Sequence, residues 1–327
     1  MEQFVLQTFR PSLKPIWSVM IRRLKLNYAL YNFFHKKELK HNIPNYRKYG
    51  LAKKYYSPIS SLDFKHLPQD KLVVDSEKLY ATNIYKQGDL ETKEQIENYS
   101  KTGYIVLKNF LSDTNAENIN KEINDLLEQK RVTFKYGNKI MFALHHSQLL
   151  RDTGKDEKLI ELLNVLIDGK AKLFQSINFL SGSEQNTHSD SIHMTTYPLG
   201  GLLGVWIALE DIDETNGALH YYPGSQNLPY YLNEDYDNVG SKFFIGDKNY
   251  SSYEKMLQEK IRTLGLKKEI FRSKKGDVLI WHANLLHGGE PHPDKTKTRK
   301  SMVFHYFKEG SICYHELTQR PALIRVE

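Results

Sequence analysis

The sequence predicts a mainly β fold, an antiparallel barrel or jelly roll with flanking helices, from three observations. Helical periodicity is concentrated in the first half of the chain and short strands follow one another in the second. The turns between those strands are Gly-rich, and no dinucleotide-binding or phosphate-loop glycine pattern occurs. With 327 residues, 40% of them hydrophobic, the chain can bury a substantial core, as one β-rich domain with an extension or as two domains.

In chain order, apolar residues at Trp17, Met20, Ile21, Leu24, Tyr28 and Tyr31 recur at helical spacing, with Arg22, Arg23 and Lys25 among them. They predict an amphipathic helix over 17–31. A basic aromatic segment, 36–56, follows, and the Pro and Ser residues of 56–61 mark a loop. The whole basic extension is expected over 1–93. It either lies against a membrane surface or a partner, through residues 15–56, or packs on its own chain.

The domain that carries chemistry is expected over 94–327. It opens with a strand at 104–108 and a helix at about 112–129, for which Asp113 and Thr114 are candidate N-caps. A helix at 157–166 comes next, and then strands at 171–180, 201–209, 218–222, 277–286 and 300–307. Residues 226–275, rich in Tyr, Asn and Lys, interrupt the strands and contain an amphipathic helix around 253–263. An insertion of that length is a lid, a binding loop or a mobile surface excursion.

Composition narrows the function. A single cysteine, Cys313, excludes an internal disulfide, zinc ribbons and most iron–sulfur sites, so a metal must be held by His and carboxylates. The net charge is +7, yet residues 1–75 carry 14 Lys/Arg against 5 Asp/Glu and the remainder is slightly acidic. Basicity therefore belongs to the extension, and a nucleic-acid partner is not expected. The apolar run 4–9 is broken by Arg10, Pro11 and Lys14, which argues against a secretory signal, and no apolar run is long enough to span a bilayer. The expectation is a soluble, cytoplasmic protein, at most peripheral to a membrane.

The informative motif is Thr187, His188, Ser189, Asp190. Two neutral imidazoles and one carboxylate on one face bind iron and leave adjacent positions open. In an extended segment His188 and Asp190 point to the same side. The pattern alone is cheap, since His292, Pro293, Asp294 repeats it in what reads as a turn. Its weight comes from the downstream strand that starts at Gly276 and reaches His287, Gly288, Gly289, followed by Arg299 and Ser301. Arg299 offers a planar fork of donors to a distal carboxylate, and in a strand Ser301, Val303 and His305 share its face.

On these residues, 94 to the C-terminus resembles the phytanoyl-CoA dioxygenase family. The matching pieces are 102–107, His188 with Asp190, 205–211, 216–219, 223–225, Gly276 with Asp277, His287 with Gly288, and Arg299. The resemblance implies a double-stranded β-helix (jelly roll, cupin-like) and a non-haem Fe(II)/2-oxoglutarate-dependent dioxygenase that consumes O2. By it His188, Asp190 and His287 are the iron ligands and Arg299 the 2-oxoglutarate anchor, with Ser301 beside it and Trp206 walling the co-substrate pocket. It implies hydroxylation of an unactivated C–H with release of succinate and CO2, because halogenating relatives lack the carboxylate that Asp190 provides. Two positions depart from the family: Gly289 stands where a Ser is common, and Glu290, Pro291, His292, Pro293 where an Asn-rich turn is common. The substrate class stays open among small molecules, with an anionic or lipid-linked one favoured by the cationic extension.

Other readings compete for the same residues. His193 and His282 are rival ligands, and His305 is a core histidine or a contact beside the metal. Gln175, Asn178, Thr195 and Thr196 are either plain strand residues or contacts of the proximal carboxylate or substrate, and residues 141–146 form a candidate substrate-side loop. A non-catalytic β-helix binding protein would keep the fold and lose the chemistry. A zinc-dependent cupin-like enzyme would have no need of Arg299 and Ser301.

Overall fold

The computed structural model describes residues 21–68 and 74–325. Residues 17–20 of the first predicted helix and the apolar run 4–9 lie outside the described residues. Thirteen strands build three antiparallel sheets: β1 (Tyr104–Leu107), β2 (Phe134–Lys135), β3 (Lys139–Met141), β4 (Ala171–Phe179), β5 (Thr195–Tyr197), β6 (Leu202–Ala208), β7 (Leu219–Tyr221), β8 (Glu269–Phe271), β9 (Val278–His282), β10 (His287–Gly289), β11 (Ser301–Lys308), β12 (Ile312–His315) and β13 (Arg320–Pro321). The large sheet has the order β1-β9-β6-β11-β4-β3-β2, and the small ones are β10-β7-β8 and β13-β12-β5. This is the jelly roll with flanking helices that the sequence predicts.

The two faces of the large sheet have different partners because side chains alternate along each strand. Ile105, Val205, Ile207, Val278, Ile280, Met302, Phe304 and Tyr306 pack outward under the helices Asp113–Glu128 and Glu157–Leu166. Their neighbours Tyr104, Phe179, Trp206, Leu279, Trp281 and Val303 point inward, toward Leu219, Tyr221 and Phe271 of the small sheet. Register fixes the inner layer. Ser301 stands opposite Phe179 and Ala208, Val303 opposite Ile177 and Trp206, and His305 opposite Gln175 and Gly204.

Three boundaries differ from expectation. Ser112, not Asp113 or Thr114, caps the helix, its hydroxyl accepting from the Asn115 N–H at 3.2 Å, and Asp113 becomes the first helical residue. The strand expected at 277–286 ends at His282, where a turn closed by the Leu285 N–H on the His282 carbonyl (2.8 Å) sends the chain to the small sheet. That turn is the corner of the jelly roll, and the apolar residues on both sides of it, 278–281 and 285–286, hide it from a periodicity reading. The insertion helix, Tyr250–Leu264, is buried through Tyr253, Leu257 and Ile261 in a cluster with Ile192, Tyr222 and Leu286, so it is a wall of the barrel mouth.

The extension packs on the core. Tyr46, Ile59 and Phe64 bury with Tyr197, Ile312 and Tyr314, and Phe64 stacks on Tyr197 at 4.4 Å. The Ile59 N–H donates to the Gln319 carbonyl, and Ser61 donates through backbone and hydroxyl to the buried Glu316. Residues 23–25 pair with 243–245 of the insertion. No helix among the described residues is long and apolar enough to cross a membrane.

Candidate metal centre

His188 and His287 meet through their backbones before their rings do anything. Each donates its N–H to the other's carbonyl at 2.9 Å, a two-residue antiparallel bridge that sets the ring centroids 4.6 Å apart. After His188 the chain stays extended at Ser189 (φ −106°, ψ 151°) and then coils into a short 3-10 turn, Asp190–Ile192. One ligand atom each from His188, Asp190 and His287 lies within 4.8 Å of the others, all three residues buried. No other such group occurs among the described residues.

Each member is oriented by a second contact. His188 Nδ1 meets the Asn186 carbonyl and His287 Nδ1 the Leu285 carbonyl, both at 2.9 Å. Those carbonyls place the ring proton on Nδ1 and leave Nε2 as the acceptor, which on His188 takes the Gln185 amide at 3.1 Å and on His287 faces Asp190. Burial pushes His188 down to about 3, His287 adding to the effect, so the ring stays neutral, the form that binds metal. For Asp190 burial opposes ionisation, but His287, His305 and His188 outweigh it and hold the carboxyl well below the usual range. Its Oδ2 accepts the Trp281 indole N–H at 2.7 Å and lies 3.6 Å from His305 Nε2, whereas Oδ1 lies 3.7 Å from His287 Nε2. One carboxylate oxygen is thus tied back and the other faces the imidazoles. Two imidazoles and one free carboxylate oxygen make a donor set that fits a divalent metal of the iron type.

The Trp281 contact needs Gly204. A Cβ on Gly204, its cross-strand partner, would sit 2.4 Å from the indole, so the indole occupies the space a side chain would fill. Gly204→Ala is expected to destabilise the fold by about 1–3 kcal/mol and, by shifting the indole off Asp190, to weaken iron binding. Urea unfolding and iron titration check it, and parent-like values in both would remove Trp281 from the site's support. Gly289 has a similar cause: a Cβ there would lie 2.5 Å from Ser183 Oγ, so the Ser common in the family has no room.

Arg299 lies inside the barrel, 2% exposed. Its Nε donates to the Gly217 carbonyl at 3.0 Å and its Nη1 to Ser301 Oγ at 2.6 Å, with the guanidinium 5.5 Å over Trp206 and 5.6 Å over Phe179. No carboxylate among the described residues pairs with it, and burial pushes its pKa down to about 10, with Glu210 opposing from a distance. Trp206 Nε1 and Gln175 Oε1 are likewise buried without a partner. An unpaired buried cation with orphaned polar atoms in the same inner layer fits a ligand that carries a carboxylate.

Among the rivals, His193 stands beside the triad, but its Nε2 shares a hydrogen bond with the Tyr250 hydroxyl at 3.1 Å, its ring 5.7 Å from His188. His282 accepts from the Asn284 N–H through Nδ1. His292 accepts from the Gly182 N–H, and Asp294 closes a turn on Thr296, so that second motif gathers no metal site. Asn178 aligns with Met302 and Ile140 on the helix-facing side of the sheet, away from the pocket. Thr195 and Thr196 bond to the Ser191 and Pro198 carbonyls. In the 141–146 loop the Leu144 N–H donates to Ser176 Oγ, which fixes the loop to the sheet.

Four residues beside the triad are absent from the sequence reading of the site. Trp281 and Tyr253 act through the contacts above and through the Ser189 N–H and hydroxyl, 3.3 and 3.2 Å from the Tyr253 oxygen. Lys139 donates to Gln185 Oε1 at 2.8 Å, and Gln185 Nε2 lies 3.1 Å from His188 Nε2, so a cation without an acidic partner sits one residue away from the cluster. A Lys followed by an apolar pair in a three-residue strand carries no sequence signal that would single it out.

Two histidines near this end of the barrel set an acid limit. Burial pushes both His282 and His315 down to about 4, Arg320 adding to the effect on His315. Between pH 6.5 and 4 the unfolded chain binds protons that the folded chain refuses, so stability falls as pH drops through that window. Both residues are only partly buried as a whole, which reduces the effect to roughly 1 kcal/mol each at pH 5. Glu316, raised by burial, opposes the trend. The thermal midpoint is expected to drop by a few degrees from pH 7.5 to 5 and to drop less in His282→Gln. An equal drop in the variant would show that the ring at 282 is not held neutral.

The family model "Phytanoyl-CoA dioxygenase (PhyH)" matches residues 99–300. Phytanoyl-CoA dioxygenase domain-containing protein 1 of Danio rerio is 36% identical over 97 residues, 28% of this chain and 33% of that protein. The chain therefore spans about a third of that relative and of its Mus musculus counterpart. Ectoine dioxygenase of Halomonas elongata is 26% identical over 257 residues, 71% of this chain and 76% of that protein. Among solved structures, the non-heme alpha ketoglutarate dependent carbocyclase SnoK from nogalamycin biosynthesis superposes with a TM-score of 0.56 at 16% identity, covering 69% of this chain and 87% of SnoK. EctD from S. alaskensis gives 0.54 at 17%, covering 80% and 93%. These superpositions establish the shared fold.

Proposed function

The chain belongs to the phytanoyl-CoA dioxygenase family, and on that premise we propose that it is a non-haem Fe(II) dioxygenase that uses 2-oxoglutarate and O2 to hydroxylate a small molecule. The observation that carries the reading is the pairing of a buried His188, Asp190, His287 cluster with the uncompensated Arg299 guanidinium in one barrel. His188 Nε2, His287 Nε2 and Asp190 Oδ1 would hold the iron. The chemistry that bound iron supplies is oxidation of 2-oxoglutarate by O2 to succinate and CO2, with the second oxygen atom entering a substrate C–H bond.

The protein's own part is positional. Arg299 would take the distal carboxylate of 2-oxoglutarate by two parallel N–H donors, with the Ser301 hydroxyl beside it and Trp206 and Phe179 forming apolar walls. Lys139, one side chain from His188, is the cation placed for the carboxylate at the metal end. Trp281 and His305 on Asp190 Oδ2 would keep the carboxylate monodentate and leave neighbouring positions open. Tyr250, Tyr253 and His193 close the mouth, so the substrate would meet aromatic and hydrogen-bonding groups there. An anionic or lipid-linked substrate, with peripheral membrane contact through the basic extension, is the finer form of this proposal. Its support is the charge of residues 1–75.

The test needs no substrate. Iron(II) and 2-oxoglutarate added without oxygen are expected to give the weak visible charge-transfer band of chelated 2-oxoglutarate, and air should then release succinate slowly. A folded protein with neither band nor tightly held iron would leave a binding role. Tightly held zinc with activity indifferent to 2-oxoglutarate would support the cupin-like alternative.

A further inference from the structure

The helix Lys25–Phe33 is inverted. It buries Asn32 and leaves Leu26 (64%), Leu30 (53%) and Phe33 (51%) exposed, with Phe34 (79%) just after it. Residue 30 lies four after 26, three before 33 and four before 34, so the four form one stripe along the helix. Solvent does not favour such a face, which marks it for contact with an apolar phase.

What adjoins the stripe says which phase. Phe33 lies 5.6 Å from the Tyr56 ring, and its carbonyl accepts the Tyr55 hydroxyl at 3.0 Å. Tyr55 and Tyr56 form one wall of a surface cavity of about 260 Å³, whose other sides include Tyr46, Arg47, Lys53 and Lys54. The Tyr46 hydroxyl is buried there without a hydrogen-bond partner. Lys53 is shared with Asp63 at 2.8 Å, while Arg47 and Lys54 form no ion pair among the described residues. Lys36 and Lys54 sit over the Tyr55 and Tyr56 rings at 5.9 and 5.7 Å. From 21 to 60 the chain carries ten Lys/Arg and one acidic residue, Glu38.

An apolar stripe beside a cationic, tyrosine-lined cavity matches the two ends of an anionic phospholipid, acyl chain and phosphate headgroup. We infer that residues 21–60 dock the protein on an anionic phospholipid surface, with Leu26, Leu30, Phe33 and Phe34 in the acyl boundary and a headgroup phosphate in the cavity at Arg47 and Lys54. This gives the membrane contact proposed above a site of its own, and it does not depend on the oxygenase chemistry. The docking helix also leads toward the barrel mouth: Arg320 stacks on Tyr31 at 4.5 Å, and its charge reaches His315, which lies 5.8 Å from His193. A docked protein would hold that side of the barrel near the lipid.

The test is sedimentation of the full chain with vesicles of phosphatidylcholine alone or mixed with phosphatidylglycerol, with soluble glycerol 1-phosphate as competitor. The expected result is binding only to the mixed vesicles, weakened by salt, and about tenfold or more weaker in both Arg47→Gln/Lys54→Gln and Leu30→Ser/Phe34→Ser. All substituted residues lie away from the metal cluster, so circular dichroism and the iron–2-oxoglutarate band should match the parent. Failure of that band in the parent would speak against the oxygenase, not against docking. No preference for phosphatidylglycerol, or parent-like binding by both variants, overturns the inference. Glycerol 1-phosphate binding as tightly as the vesicles and indifferent to Leu30→Ser/Phe34→Ser makes the ligand a soluble phosphate. A parent dimer that becomes monomeric in that variant assigns the stripe to a second copy.

Discussion

Asp190→Asn is expected to leave a folded protein that has lost its iron. The amide keeps an oxygen that can accept the Trp281 indole N–H, now 2.7 Å from Oδ2, so the packing around position 190 survives. What disappears is the negative charge that faces His287 and His305. Loss of a residue merely adjoining a metal ligand typically costs about 10–100-fold in affinity. Removing the proposed anionic ligand itself should cost at least about 100-fold, and the proposed turnover should fall with the iron occupancy. Asp190→Ala removes the indole's acceptor as well and should add about 1–3 kcal/mol of destabilisation. Iron titration and thermal unfolding of both variants separate charge from packing. If Asp190→Asn bound iron like the parent, Asp190 would be a structural acceptor for Trp281 and the cluster would need another third member.

The same residues show where sequence reading works and where it stops. Ser301, Val303 and His305 alternate along one strand, so their common inward face follows from a period of two. The helix at 157–166 is a plain amphipathic run with Asp156 as its cap, and its bounds follow from the residues alone. His188 and Asp190 stand two apart, and the jelly-roll crossing that brings His287 to them is a property of the fold class. The supports of the site are different in kind. Trp281 meets Asp190 across 91 positions, in space left by the missing side chain of Gly204. Lys139 reaches His188 through Gln185, and Tyr253 reaches Ser189 from an insertion. No local period encodes such pairs, because each depends on the docking of two elements. The break at His282 was hidden for the opposite reason: 278–286 is apolar on both sides of the corner, and hydrophobicity alone does not mark a change of sheet.

Arg299→Met should separate stability from function. In the protein without co-substrate, burial lowers the Arg299 pKa from 12.5 to about 10. A base that holds its proton less tightly when folded penalises the fold at every pH below its folded pKa, here by about 3 kcal/mol at neutral pH. Methionine removes that penalty and fills similar volume. It forfeits the hydrogen bonds to the Gly217 carbonyl and Ser301 Oγ, about 1–3 kcal/mol each. The two lost bonds together match or exceed that gain, so the variant's thermal midpoint without ligand should be equal to the parent's or a few degrees below it. Added 2-oxoglutarate then discriminates. At about 100 times its Kd a ligand stabilises by about 2.7 kcal/mol, so the parent with iron should unfold several degrees higher, while Arg299→Met should not respond. Arg299→Lys, which keeps the charge but not the fork, should bind 2-oxoglutarate about 10–100-fold more weakly and recover turnover at high concentration. Parent-like stabilisation of Arg299→Met by 2-oxoglutarate would move the anchor elsewhere, with Lys139 the next cation to substitute, since it is the one that already reaches the metal cluster through Gln185.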